Sequence, residues 1–295
     1  MSIVLLSGVP KDLADTLSKR FEVVNIVRKI FPDGEQYLRI VSDVKDRSVT
    51  VIQSLYPDQD RKLVELYLAL EALKGAGVKD LTVVLLYVAY ARQDKRFLPG
   101  EPISIKALLD PMRFYGVKKL VVIDIHAPHI LEELGLTYVN IVPHSYLVKK
   151  SGIELDYVLA PDKGALHRAE IISKELGVPY ANLEKFRDRI TGEIRIEEKE
   201  LPVKGMRVAI VDDIVSTGGT LAKAVEALYR YEASKVYAVV SHALMVGSAI
   251  EKLERSGLEM LVTCNTIEHR EELRSLRWFK RIDISELLIS ELVKE

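Results

Sequence analysis

The chain has 295 residues, 48% of them hydrophobic, with 42 Lys and Arg against 43 Asp and Glu and a formal net charge of −1. Balanced charge gives no long-range attraction for nucleic acid, and a single cysteine, Cys264, excludes an intrachain disulfide and a cysteine-based zinc site. The N-terminal run is too short and too little basic for a signal peptide, and the longest charge-free apolar stretch, Leu81 to Ala91, falls well short of a membrane span. The expectation is therefore a cytoplasmic, soluble chain with no membrane or nucleic-acid partner, long enough for two cores.

Strand-like and helix-like segments alternate throughout. In the first half, strands are expected near Ile3–Ser7, Val23–Ile26, Tyr37–Val41, Thr50–Gln53, Thr82–Leu86, Leu120–Asp124 and Tyr138–Ile141, and helices near Lys11–Arg20, Arg61–Ala76, Ile103–Tyr115 and His129–Leu134. In the second half, strands near Tyr157–Ala160, Val208–Val211, Val236–Ser241 and Met260–Thr263 alternate with helices near Ala165–Leu176, Thr220–Tyr231, Ser248–Ser256 and Ser285–Lys294. This pattern predicts an α/β protein with largely parallel central sheets flanked by helices. A seam at Pro143 to Gly152, without a flexible linker, divides it into domains 1–142 and 143–295. The last helix, bearing Leu287, Leu288 and Leu292 on one face, is a candidate to pack back on the first domain. Each half carries a long apolar strand ending in an acid, Val121-Val122-Ile123-Asp124 and Ile210-Val211-Asp212, so the halves read as rough copies.

Polar stretches interrupt this pattern. Phe31-Pro32-Asp33-Gly34-Glu35 is a turn whose carboxylates can accept from an exocyclic amine and whose Phe31 can stack on a purine; read alone, a plain turn is the better reading. Tyr90-Ala91-Arg92-Gln93-Asp94-Lys95-Arg96 follows a strand, where ligands of open α/β sheets gather, and Arg92 and Arg96 suit phosphates or ribose oxygens. Asp124-Ile125-His126-Ala127-Pro128-His129 again ends a strand; His126 can hold a metal or the phosphates a metal carries, and His129 reads as a helix start. Asp162, in Ala160-Pro161-Asp162-Lys163-Gly164-Ala165, is a Mg²⁺ ligand candidate with helix capping as its competitor. Lys185-Phe186-Arg187-Asp188-Arg189, followed by Thr191-Gly192-Glu193, reads as a charged hairpin flap; Lys185 and Arg187 point the same way if extended and would stabilise a transferring phosphoryl group.

The most informative stretch is Val208 to Thr220, VAIVDDIVSTGGT. A buried strand ends on Asp212 and Asp213, and Ser216-Thr217-Gly218-Gly219-Thr220 opens a helix. Unpaired N–H groups at a helix start hold a phosphate, and glycines admit close approach. The acids lie about one sugar length away, where they can accept from vicinal hydroxyls. Neither the nucleotide P-loop pattern nor G-x-G-x-x-G occurs.

The last stretch resembles the phosphoribosyl-diphosphate loop of the type I phosphoribosyltransferases. FPDGE, YARQDKR with PGEPIS, DIHA, PD-G, K-F-R and VDDIVSTGGT together, from Phe31 to Thr220, resemble the ribose-phosphate diphosphokinases in order and nearly in wording. The resemblance implies two tandem phosphoribosyltransferase-like domains, an ATP side and a ribose 5-phosphate side. The reaction implied is transfer of the β,γ-diphosphoryl group of Mg-ATP to the 1-hydroxyl of ribose 5-phosphate, with AMP leaving. Phe31, Asp33, Gly34 and Glu35 would form the adenine site, completed across a subunit interface, so at least a homodimer is expected. Arg92, Gln93 and Asp94 would contact ATP, and His126 and Asp162 would be the Mg²⁺-associated pair. Lys185 and Arg187 would be the catalytic flap cations, with Arg187 also at the sugar phosphate. Asp212 and Asp213 would bind the ribose hydroxyls, and Ser216, Thr217, Gly218, Gly219 and Thr220 the 5-phosphate. Ser216, Ala165 and Gly100 depart from the family's commoner acid, glycine and cation. Two alternatives are a non-catalytic regulatory subunit, against which the retained Lys185, Arg187 and His126 speak, and a base phosphoribosyltransferase, which leaves FPDGE and YARQD unexplained.

Overall fold

The computed structural model describes residues 2–183, 185–187, 194–196 and 201–294, with backbone alone for 185–187 and 194–196. The first unit runs β1 (Ser2–Leu5), α1 (Lys11–Arg20), β2 (Glu22–Val23), β3 (Ile26–Ile30), β4 (Gln36–Ile40), β5 (Ser48–Gln53), α2 (Gln59–Gly75), β6 (Asp80–Leu85), α3 (Ser104–Leu109), α4 (Pro111–Phe114), β7 (Val117–Ile123), α5 (His129–Glu133) and β8 (Thr137–Ile141). Six of these strands form one parallel sheet in the order β2-β1-β5-β6-β7-β8. β5, β6 and β7 are buried over most of their length, as strands covered on both faces are. β3 and β4 leave the sheet as an antiparallel hairpin that packs on α2.

The second unit runs α6 (His144–Ser151), β9 (Tyr157–Ala160), a 3-10 turn (Lys163–Ala165), α7 (Leu166–Leu176), β10 (Tyr180–Asn182), β11 (Lys185–Arg187), β12 (Ile194–Ile196), β13 (Arg207–Val215), α8 (Gly219–Arg230), β14 (Lys235–Ala243), α9 (Ala249–Ser256), β15 (Met260–Cys264), α10 (Glu271–Ser275) and β16 (Phe279–Ile282); α11 (Ser285–Leu292) follows. Its parallel sheet has the order β10-β9-β13-β14-β15-β16, and β11 with β12 forms a separate antiparallel hairpin. Its core is built around Leu159, Val208, Ile210, Val225, Leu228 and Val240, all essentially inaccessible.

The two strand orders are the same series. β1 corresponds to β9, β5 to β13 and β7 to β15, and the two hairpins leave their sheets at the same point. This corrects the expected pairing of copies: the counterpart of the strand bearing Asp212 is β5, which ends in Gln53, and not β7, which leads into Asp124. A strand ending in an acid recurs because ligand-facing sheet edges favour polar residues, so the motif does not report chain position.

Several segments differ from the sequence expectation, among them Val23–Ile26, which is split between the end of β2 and the start of β3. Ile103–Tyr115 is broken into α3 and α4, since Pro111 has no N–H to donate and starts a new helix at its first position. Pro143 to Gly152 holds helix α6, which buries His144, Leu147, Val148 and Ser151 at helical spacing. β10, β16 and the short α10 carry too little pattern to stand out.

The chain clusters into one unit of Met1–Ile141, Thr266–Glu268 and Ile284–Glu295 and another of Val142–Asn265 and His269–Asp283. Within the first unit α11 packs on α1, Leu288 and Leu292 are fully buried, and Lys119 Nζ meets Glu291 Oε1 at 3.2 Å. Among the described residues no helix is long and apolar enough to cross a membrane.

Candidate active site

In the second unit the site grows from the end of β13. Pairing with β14 continues through Asp212↔Val240 to Val215↔Ala243, so the two acids lie inside the strand and not after it. Asp213 is buried, and its carboxylate lies 4.0 Å from the equally buried guanidinium of Arg168 on α7. Asp212 Oδ1 accepts from the Asp213 N–H at 3.0 Å, and His144 Nε2 donates to the Asp212 main-chain oxygen at 3.0 Å. Loss of water around Asp212, and then the charge of Asp213, push its carboxyl well above the usual carboxylate range; Arg168 opposes the shift. A carboxyl that holds its proton this readily is suited to hydrogen bonding a vicinal diol.

The turn that follows is braced from one side. The main-chain oxygens of Val215 and Ser216 accept from Leu244 N (2.8 Å) and Val246 N (3.0 Å), and Lys252 Nζ donates to Thr217 O at 3.3 Å. Gly218 has φ +72°, which favours glycine, and a Cβ there would also crowd the Ala249 Cα and carbonyl oxygen at 3.3 Å. Gly219 then begins the twelve-residue α8 with its first N–H groups outside the helix ladder. Ser216, Thr217, Gly218, Gly219 and Thr220 thus form one turn with the N-terminus of α8.

Asp162 caps the 3-10 turn after β9, its Oδ1 accepting from Ala165 N at 3.2 Å. The capping alternative read from the sequence is therefore realised. Lys185 and Arg187 lie on β11 opposite Ile196 and Ile194, a hairpin as expected from the sequence; their side chains, with Asp188, Arg189, Thr191, Gly192 and Glu193, fall outside the described residues.

In the first unit, Phe31 to Glu35 close the β3–β4 hairpin. Phe31 N donates to Glu35 O (2.8 Å), Gly34 N to Phe31 O (2.9 Å) and Glu35 N to Asp33 Oδ1 (3.1 Å). All five residues are exposed, and Phe31 meets Tyr37 edge-on at 6.0 Å. The hairpin is tied to α2 through Gln36 Nε2, which donates to Arg61 O at 2.8 Å.

The second loop is organised by a residue that the sequence reading passed over. Glu101 Oε2 accepts from Phe97 N (2.8 Å), Leu98 N (3.0 Å) and Gln93 Nε2 (3.2 Å), and the two main-chain bonds hold its carboxyl below the usual range. Tyr90, at φ +63°, donates its hydroxyl to Asp60 at the start of α2. Arg92 is exposed, while Gln93 and Asp94 are half-buried. Asp94 lies 3.6 Å from His129, which joins this loop to the one after β7. There Asp124 is buried at φ +41°, its N–H bound to Ile141 O, and His126 is exposed beside it. His129 opens α5 as its position suggested.

His126 belongs to the first unit and Asp162 to the second. Among the described residues no three His, Cys, Asp or Glu side chains converge as a metal cage. Glu101, Tyr90, Arg168 and His144 support the site but carry weak sequence signals: each acts on main chain or on another side chain, and only PGEP, with an acid between two prolines, hinted at a structured turn.

The N-terminal domain model of ribose phosphate pyrophosphokinase matches residues 3–116, and the phosphoribosyl transferase domain model matches residues 146–268. Ribose-phosphate pyrophosphokinase of Saccharolobus solfataricus is 41% identical over 264 residues, covering 88% of this chain and 90% of that protein. The protein of the same name from Pyrococcus abyssi is 40% identical over 268 residues, covering 90% and 91%. The crystal structure of phosphoribosylpyrophosphate synthetase from Mycobacterium smegmatis superposes with a TM-score of 0.89 at 26% identity, covering 99% of this chain and 97% of that one.

Proposed function

The chain belongs to the ribose-phosphate pyrophosphokinase family, and from that membership we propose how its own residues carry the reaction. It is a diphosphokinase: the anomeric hydroxyl of ribose 5-phosphate attacks the β-phosphorus of ATP, the bond from that phosphorus to the AMP oxygen breaks, and AMP leaves. Such a transfer needs positioning and charge neutralisation more than covalent catalysis.

Ribose 5-phosphate is held in the second unit. The turn from Ser216 to Thr220 binds the 5-phosphate at the start of α8, and Asp212 and Asp213 accept from the sugar's hydroxyls. The observation that carries this reading is the pairing of a glycine-dependent turn opening α8 with two acids on the preceding strand, one of them held above its ordinary range. ATP is taken by the first unit, its adenine by Phe31, Asp33, Gly34 and Glu35 and its phosphates and ribose by Arg92, Gln93 and Asp94. An exposed hairpin tip suits a site shared with a second copy, so the active species is at least a homodimer in the cytoplasm.

The donor set fits Mg²⁺ entering with the nucleotide, because this ion takes one or two protein groups and completes its shell with water and phosphate oxygens. Asp162 offers a hard carboxylate oxygen, and the His126 imidazole suits a water or phosphate oxygen of the ion. Mg²⁺ carried in with ATP would neutralise the triphosphate charge. Lys185 and Arg187 supply the cations that stabilise the transferring diphosphoryl group.

A ³¹P NMR time course with ribose 5-phosphate, ATP and Mg²⁺ tests this: AMP and a sugar-attached diphosphate appear together. Lys185→Ala lowers turnover by about 10²–10³ or more with ribose 5-phosphate affinity kept. No AMP from the intact chain would overturn the enzyme reading in favour of a regulatory subunit, and full turnover in the variant would overturn the flap assignment.

A further inference from the structure

The shared strand order places a second, differently built pocket in the first unit. In the second unit the proposed sugar-phosphate site is made where the ends of β9 and β13 meet the start of α8, with the β11–β12 hairpin leaving the sheet alongside in sequence. The corresponding parts of the first unit are the end of β1, the β5-to-α2 connection, and the β3–β4 hairpin. These same three parts line a cavity of about 450 Å³: Ser7 after β1, Asp58, Arg61, Lys62 and Glu65 on and before α2, and Arg28 and Lys29 with Tyr37 on the hairpin. A cavity of this size falls in the range that encloses small metabolites, roughly 300–1,000 Å³.

Its chemistry is cationic. Arg28 and Glu65 neutralise each other through a 2.8 Å ion pair, and Glu65 Oε2 further accepts from Ser7 N at 3.2 Å and Gln53 Nε2 at 3.0 Å. That leaves Lys29, Arg61 and Lys62 against Asp58. Lys62 is only 8% exposed, and its ammonium donates to the Tyr56 carbonyl at 2.5 Å. Burial pulls its pKa down, which means that its charge is not fully compensated by the protein. Gly8, at φ +86°, exists to admit this ammonium: a Cβ there would lie 2.7 Å from Lys62 Nζ and 2.3 Å from Ser54 O. Nearby, Gln53 Oε1 and Ser54 Oγ are fully buried with no hydrogen-bond partner in the protein. The walls include Ile30, Leu38 and Leu68 beside the Tyr37 ring, so the cavity joins a cationic floor to an apolar, ring-bearing rim.

We propose that this cavity is a second anion site, in which Lys62 and Arg61 hold the phosphate of a small phosphomonoester. Its lining includes none of the residues assigned above to the ATP or ribose 5-phosphate site, although Arg61 and Gln36 also border Gly34 and Glu35, and a buried lysine stands where the second unit has a glycine-rich turn. A buried cation with spare donor capacity binds a dianion through charge-assisted hydrogen bonds, without the Mg²⁺ that the nucleotide requires.

Equilibrium dialysis of labelled inorganic phosphate against the full chain tests the site by difference. The wild type binds one more phosphate per chain than Lys62→Met. Because Lys62 also braces Tyr56, Arg61→Gln is measured in parallel; its side chain is on the exposed side of α2, and it weakens that same phosphate about tenfold or more while the circular dichroism spectrum stays unchanged. Adding saturating ribose 5-phosphate displaces the Lys62-dependent phosphate if the occupant is a phosphomonoester and leaves it in place if the occupant is free phosphate; both results support an anion site. Equal phosphate stoichiometry and affinity in the wild type and both variants overturns the proposal, and does so without touching the diphosphokinase assignment, which rests on AMP formation.

Discussion

At the scale of single residues, Asp212 illustrates how a group proposed to bind the sugar can work against the fold that holds it. In the unfolded chain it ionises near pH 4, whereas in the folded chain burial and Asp213 keep its proton to higher pH. The folded state therefore binds more protons between those two values, and stability falls as pH rises through that window. Asp212→Asn removes the cost, so the melting temperature at pH 7 rises by a few degrees while ribose 5-phosphate binding is lost; a fluorimetric melt and a KM measurement check the pair of effects. The opposite sign holds for Asp156, whose bonds to Arg207 depress its pKa to about 2. Its contribution is present above the unfolded value near 4 and is lost as pH falls through about 2. Asp156→Asn should thus lower the melting temperature at pH 6, with the difference from wild type closing as acid is added between pH 4 and 2.

At the scale of elements, the loop after β6 is a unit because one carboxylate gathers three donors. Glu101→Ala frees the N–H groups of Phe97 and Leu98 and the amide of Gln93 together, so the expected result is a several-fold rise in KM for ATP with kcat for bound substrate less affected. An unchanged KM would mean that the loop holds its shape through Tyr90 and Asp60 instead. The sequence made most elements legible where apolar period and stop signals agree: α1 begins and ends where its pattern does, and α8 starts at the turn that its glycines announce. It failed where tertiary pairing decides. β13 runs on through Asp212 and Asp213 because β14 offers partners as far as Ala243, which no local pattern reveals. Likewise the residues proposed to touch ligand stand in polar runs at or near strand ends that a sequence displays, while Glu101, Arg168 and His144, which brace those runs, were hidden because their partners are mostly distant in sequence.

At the scale of the whole molecule, the duplicated strand order explains why two hairpins of unlike sequence occur at matching points. The hairpins bearing the FPDGE turn and Lys185–Arg187 stand at the same point of the two strand orders, and the proposed function gives them different roles, adenine binding and phosphoryl transfer. The fold also ties its last helix to its first unit. Leu288, fully buried in α11, anchors that contact, and Leu288→Ala should cost about 2–5 kcal/mol. A two-step denaturation curve in which the earlier step alone moves would show that the cost falls on one unit; a uniform shift would show that the units unfold together.

That last helix has a consequence for synthesis. Residues Val142–Asn265 and His269–Asp283 emerge from the ribosome before α11 does, yet the unit begun at the N-terminus includes Ile284–Glu295. Domains ordinarily fold in the order in which they are made. Here the unit translated first must wait, with the α1 surface that α11 covers still open, until the unit translated second has passed.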